Sequence, residues 1–187
     1  MEDFLICKAC GFVTNNKKVK DVCPACGVPA KMFEAYEHSV STQRRRLLEL
    51  HTHPIAVHFP QAFALTLLLL SLCAFFAPTS FQGSLSATIV VLSSLLPLFV
   101  LGSIGTGLLD GKLRFRRVTT PLLKKKIIIS SVFFLSSLVM VALALCGQPF
   151  SSLSTHITYI LLAAVVSLCG ALLGLIGGTL WNAKFPG

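Results

Sequence analysis

Four cysteines near the start of the chain stand in two matching pairs, Cys7-Lys8-Ala9-Cys10-Gly11 and Cys23-Pro24-Ala25-Cys26-Gly27. The twelve residues Gly11 to Val22 between the pairs let two C-x-x-C turns close on one ion. Four thiolates in a tetrahedron suit zinc or a single iron. A glycine directly follows each second cysteine, where a tight turn favours positive φ and aims backbone N–H groups at the sulfurs. Few apolar residues surround the pairs, so bound metal is expected to supply much of the folding free energy. Thiolates free to hold metal also point to a reducing compartment. The other three cysteines, Cys73, Cys146 and Cys169, lie inside apolar stretches and read as packing residues.

A second set of chemically capable residues is His53 and His58, in His53-Pro54-Ile55-Ala56-Val57-His58-Phe59-Pro60. They are about 140° apart round one helix, whereas a haem takes its axial ligands from opposite faces of the ring. Gripping one haem together is therefore disfavoured. They read as an interfacial polar cluster, the alternatives being haem b shared with another subunit or a quinone hydrogen-bonded by histidine. His38, His51 and His156 read as ordinary surface or interfacial residues, with His156 at the opposite membrane face from His53 and His58.

The elements that must position these groups follow from composition. A 187-residue chain that is 54% hydrophobic and 12% charged has more apolar surface than one soluble core can hide, so lipid must solvate part of it. Four apolar segments, about 55–77, 87–109, 127–145 and 157–181, are each long enough to span a bilayer, and none contains Asp, Glu, Lys or Arg. The absence of charge argues against a transport pathway or proton relay. The net charge of +9 is unevenly placed, clustering where a bilayer would put it, and this argues against nucleic acid as the partner. The start, Met1-Glu2-Asp3-Phe4, is acidic and the first long apolar run lies beyond residue 50, so no secretory signal is expected.

Basic residues then orient the spans. The segment Asp110–Lys126, expected to be a loop, carries seven Lys and Arg residues, whereas 78–86 and 147–156 carry no formal charge apart from His156 if protonated. The N-terminus, the basic loop and the C-terminus are expected in the cytoplasm, with the spans in the inner membrane. Domain boundaries are placed at 1–37 for the metal module, 38–53 for a basic linker and 54–187 for the spans. A helix is expected to start at Ser41 or Thr42, and the triplet Arg44–Arg46 would meet anionic headgroups or simply solvent. Gly170, Gly174 and Gly178 repeat on one face of the fourth span, and Gly102, Gly105 and Gly107 crowd the end of the second. Backbones are expected to approach closely there, within the chain or across a homodimer seam. Pro97 is expected to kink the second span, and Trp181 stands at an interfacial position.

Cys7–Phe33 resembles the short rubredoxin-type domain of the rubrerythrin family: C-x-x-C-G-F-V, the twelve-residue spacer, then C-P-A-C-G-V-P-A-K-M-F. The resemblance covers about residues 4–36 and includes Pro24, Pro29 and Phe33. It implies that Cys7, Cys10, Cys23 and Cys26 ligate one iron that passes single electrons. Phe12 stands where that family often has tyrosine, and aliphatic residues replace its tryptophan before the first cysteine. From residue 53 onward, the motif His53 to Pro60 resembles the H-P-x-x-V-H-F-P opening of a four-span bacterial membrane family known only by a domain of unknown function. Members of that family often carry a histidine near the start of the third span, where this chain has Lys124-Lys125-Lys126.

The fold class expected is thus a small β-rich rubredoxin-like or zinc-ribbon module joined to an all-α four-helix transmembrane bundle. The leading function is non-enzymatic: one-electron transfer by a cytoplasmic four-cysteine iron site, with the lipid bilayer and a soluble or membrane redox protein, or a quinone, as partners. The alternative is a zinc-ribbon adaptor with a structural metal that recruits a cytoplasmic protein to the membrane.

Overall fold

The computed structural model describes residues 4–15, 19, 21–37, 41–146 and 152–181, in two compact units that divide between Arg45 and Arg46. The first unit is built on a three-stranded antiparallel sheet of β1 (Phe4–Cys7), β2 (Val13–Asn15) and β3 (Phe33–Tyr36), in the order β2-β1-β3. The central strand β1 pairs Ile6 with Val13 on one side and Cys7 with Phe33 on the other. Aromatic and β-branched residues favour these short strands. Their pairing also fixes the backbone of Cys7, so the sheet register sets the position of the first ligand. A single bridge between Val22 and Pro29 closes the second cysteine turn, and a 3-10 turn at Ala30–Met32 leads into β3. The guanidinium of Arg45 lies 4.1 Å from the centroid of the Phe4 ring. The helix that carries it, α1 (Thr42–Glu49), starts where the sequence placed it.

The second unit contains α2 (Thr52–Phe76), α3 (Thr79–Phe115), α4 (Pro121–Cys146) and α5 (Leu153–Trp181), all long and apolar enough to cross a membrane. They form a ring in which α2 packs on α3 and α5, and α4 packs on the same two helices. Buried positions recur every three or four residues: Pro60, Ala64, Leu67, Ser71 and Ala74 on α2, and Phe133, Ser137, Met140 and Ala144 on α4. That is the spacing of a left-handed bundle seam. The outward faces are apolar as well, with Leu65, Leu98, Leu135, Leu161 and Leu175 exposed, as a lipid-facing surface requires.

Several small polar groups are satisfied inside the seam, whereas the buried Ser167 Oγ has no hydrogen-bond partner among the described residues. Ser93, fully buried, donates to the Ile89 carbonyl and shares a hydrogen bond with the buried Tyr159 hydroxyl. Pro60 has no N–H to give to the Ala56 carbonyl one turn earlier, and the Ser103 hydroxyl of α3 donates to that carbonyl instead at 3.1 Å. The proline's missing bond thus becomes a tie between two helices.

Several expectations change here. The segment 110–126 is mostly helix: α3 continues past residue 109 to Phe115, with Arg116 after it in the left-handed region, and α4 begins at Pro121. An i,i+4 ion pair, Arg114 Nε to Asp110 Oδ2 at 2.9 Å, supports the extra turn. His156 is buried, donating from Nε2 to the Ser71 carbonyl at 2.8 Å, so it is no surface residue. Its ring supplies a donor between α5 and α2. Of the three isolated cysteines only Cys169 is buried; Cys73 and Cys146 lie on outer faces, because apolar surface in this bundle points outward as often as inward. His51 is exposed as expected, while His38, the Trp181 side chain and residues 147–151 lie outside the described residues.

Candidate functional site

The sheet and the two turns bring the Sγ atoms of Cys7, Cys10, Cys23 and Cys26 within 4.8 Å of one another. Cys7 lies 3.9 Å from Cys26, and Cys10 lies 3.9 Å from Cys23. A tetrahedron with metal–sulfur arms of about 2.3 Å has edges of about 3.8 Å, so these two edges already stand at the spacing a metal would impose and the rest lie within reach of it. Donor number, donor type and spacing all fit one thiolate-bound ion.

Both turns have the same construction. Gly11 N–H donates to the Cys7 carbonyl and Gly27 N–H to the Cys23 carbonyl, each at 2.8 Å. Cys7 N–H then pairs with the Phe12 carbonyl and Cys23 N–H with that of Val28. Gly11 at φ +74° and Gly27 at φ +77° occupy the left-handed region, as their places after the second cysteines suggested. The symmetry extends to exposure: Cys7 and Cys23 are buried, whereas Cys10 and Cys26 reach the surface.

Backbone dipoles and neighbouring thiols divide the protons unequally. At Cys23 burial opposes charge, yet the N–H groups of Cys26 and Ala25, with the thiols of Cys26 and Cys10, bring the pKa down to about 7. At Cys10 the Phe12 N–H favours the thiolate, but hydrogen bonds with the other three cysteines and local desolvation outweigh it and push the pKa up to about 12. Without metal the cluster keeps protons at neutral pH, so metal binding must expel them.

A different constellation lies in the second unit, at the end of the bundle where α2 and α4 begin and α3 finishes. A cavity of about 360 Å³ is lined by His53, His58, Gln61, Asp110, Arg114 and Lys126, among apolar neighbours such as Val100, Ile104 and Phe133. Thr106 Oγ1 donates its proton to backbone carbonyls of its own helix, so it accepts from His53 Nδ1 at 3.3 Å. His53 Nε2 is then the acceptor for the Lys126 ammonium at 3.4 Å. Both ring nitrogens of His53 are thus engaged. His58 sits on the same cavity wall and donates from Nδ1 to the Pro54 carbonyl of its own helix.

Of the glycines expected to admit a neighbouring backbone, Gly107, Gly170 and Gly174 make room chiefly for side chains, while a Cβ on Gly102, Gly105 or Gly178 would meet nothing within 4 Å. A Cβ on Gly107 would meet His53 Cε1 at 2.9 Å, and one on Gly174 would meet Gln61 Nε2 at 3.3 Å. Gln61 Nε2 also donates to the Gly170 carbonyl at 3.1 Å. The expected spans contain no charge, but α3 and α4 run beyond them, and Asp110, Arg114 and Lys126 on the added turns line the cavity. Sequence reasoning missed Gln61, Asp110 and Arg114. The available signal was a lone glutamine just after Pro60, at the head of a span otherwise free of amides. Lys126, in the lysine run at the start of the third span, meets the first-span His53.

A four-thiolate double-turn module followed by four membrane-length helices therefore defines the class: a metal-binding domain on a helical membrane protein. Residues 6–34 match the family model of the rubrerythrin rubredoxin-like domain, and the module is of that kind. Among curated proteins and solved structures, nothing matches the chain.

Proposed function

We propose that this protein is a membrane-anchored one-electron carrier whose four cysteines hold a single iron. The observation that carries the reading is the exposure of Cys10 and Cys26 in an otherwise ordered tetrahedral donor set, in a module of rubredoxin type. Exposed ligand sulfurs offer a short path for an electron to a docking partner. Iron bound there would supply the ferric–ferrous couple, and N–H groups aimed at Cys10 and Cys23 would favour the more negative set of thiolates. Attachment to the bilayer raises the carrier's effective concentration beside membrane partners. The partner is a soluble or membrane redox protein, or a quinone. The concentration of Lys and Arg around the α3–α4 connection supports an inner-membrane protein with both termini and that connection in the cytoplasm.

Metal analysis with an optical spectrum tests this, on full-length protein purified in mild detergent from cells supplied with iron and zinc. Iron near one per chain, with thiolate-to-ferric absorption that bleaches on reduction, is the expected result. Zinc alone with a featureless visible spectrum replaces the carrier by a membrane-tethered zinc-ribbon adaptor.

A further inference from the structure

The cavity at the start of α2 and α4 has a composition that packing alone does not require. Its walls are mainly apolar, with a few polar groups converging at one end, as in sites that orient a small molecule. Glycines hollow it: Gly177 and Gly178 line the space, and a Cβ on either would meet nothing within 4 Å. Arg114 is paired with Asp110, and His53 accepts one hydrogen bond from Lys126. The ammonium carries three N–H donors, so it has donors to offer an acceptor in the cavity. With Asp110 paired to Arg114, the lining keeps the donors of Lys126 beside a largely apolar space, which suits a ligand carrying an acceptor oxygen on a lipophilic body. The polar cluster lies where α2 and α4 begin and α3 ends, the end of membrane-length helices that a bilayer would set near its headgroups, and the lining continues along the spans to Val100, Ile104 and Phe133.

We propose that this cavity binds the head of a lipophilic quinone, a flat, uncharged ring whose carbonyl oxygen accepts a hydrogen bond from Lys126 and whose body lies against the apolar walls. His53 is a positioning residue: held by Thr106, it presents Nε2 to the ammonium and directs the remaining donors inward. The choice of quinone among lipophilic acceptors rests on the carrier reading, because a redox module on a bilayer meets this class of partner in the lipid itself.

The test is a titration of the full-length, metal-loaded protein in nanodiscs with a one-isoprene benzoquinone and with menadione, against empty nanodiscs and with oleate as competitor. Saturable binding near one quinone per chain is expected. Lys126→Met should weaken it about tenfold by removing the donor, and Gly177→Leu should do so by filling the space with the polar cluster untouched. Lys124→Met, an exposed charge outside the cavity lining, should leave it unchanged. Unaltered helix content and thermal unfolding in each variant separate lost binding from lost folding. Absence of saturable quinone binding, equal binding by all variants, or stoichiometric uptake of oleate in place of quinone overturns the proposal. Metal content and ferric absorption on the same sample judge the carrier reading separately, so either idea can fail while the other stands.

Discussion

The metal module and the helical bundle reach ordered structures by opposite means. In the module Cys7, Cys23 and Thr14 are the only buried residues among those described, and order comes from strand pairing, two left-handed glycines and four converging cysteine side chains. In the bundle the interior is continuous, running through Leu67, Ile89, Leu96, Met140, Tyr159 and Val166, and polar groups appear where they tie helices together or line the cavity. One region is arranged to hold an ion, and the other is held by what it packs. Damage to either should therefore remain local.

The sharpest way to break this contrast is Cys23→Ser. Structural four-ligand zinc sites contribute on the order of 10 kcal/mol or more of apparent binding free energy, most of it folding free energy of the domain. The variant should lose its metal and become protease-sensitive before residue 46, while membrane insertion and helical circular dichroism stay at wild-type levels. Loss of both regions together would contradict the division.

Gly107→Ala puts the complementary strain on the bundle. The added Cβ would stand 2.9 Å from the His53 ring, so His53 must give up its position, and overpacking of this kind costs about 1–3 kcal/mol. Thermal unfolding of the solubilised protein should fall, with the metal-to-protein ratio unchanged. An unaltered transition would mean that His53 is not held against α3.

Gly11→Ala acts on the module with no steric contribution, since nothing lies within 4 Å of the new Cβ. At φ +74° the cost is conformational alone, about 1–2 kcal/mol, and should appear as faster metal loss to a chelator. Equal chelator resistance in variant and wild type would show that the turn relaxes without cost. Smallest of the four is Ser103→Ala, which leaves the Ala56 carbonyl opposite Pro60 without its hydroxyl donor. Interhelical hydrogen bonds in membranes average about 0.6 kcal/mol, so a small drop in unfolding free energy is expected, measured by denaturing-detergent titration.

What could be read in advance differs between the regions for a physical reason. Metal ligation by two cysteine turns is local chemistry: residue type and spacing suffice, so Cys7, Cys10, Cys23, Cys26 and the positive φ of Gly11 and Gly27 were legible one after another along the chain. Span number was equally legible, because lipid imposes a length and a composition on each helix separately. Where the helices ended was not. The charges between 110 and 126 read as a loop, yet all but Arg116 and Arg117 stand on helix, with the Asp110–Arg114 pair supporting the end of α3.

The sequence by itself thus determined a four-thiolate site, four membrane-length helices and the basic ends between them, since each depends on neighbours in the chain. Only tertiary structure decided that His53 meets Thr106 and Lys126, that Gln61 fills the space beside Gly170 and Gly174, and that His156 is buried against α2. Those contacts join residues 53 to 109 positions apart. Their partners are chosen by how four apolar cylinders rotate about their axes, and with apolar residues on every face the sequence pattern leaves that rotation open.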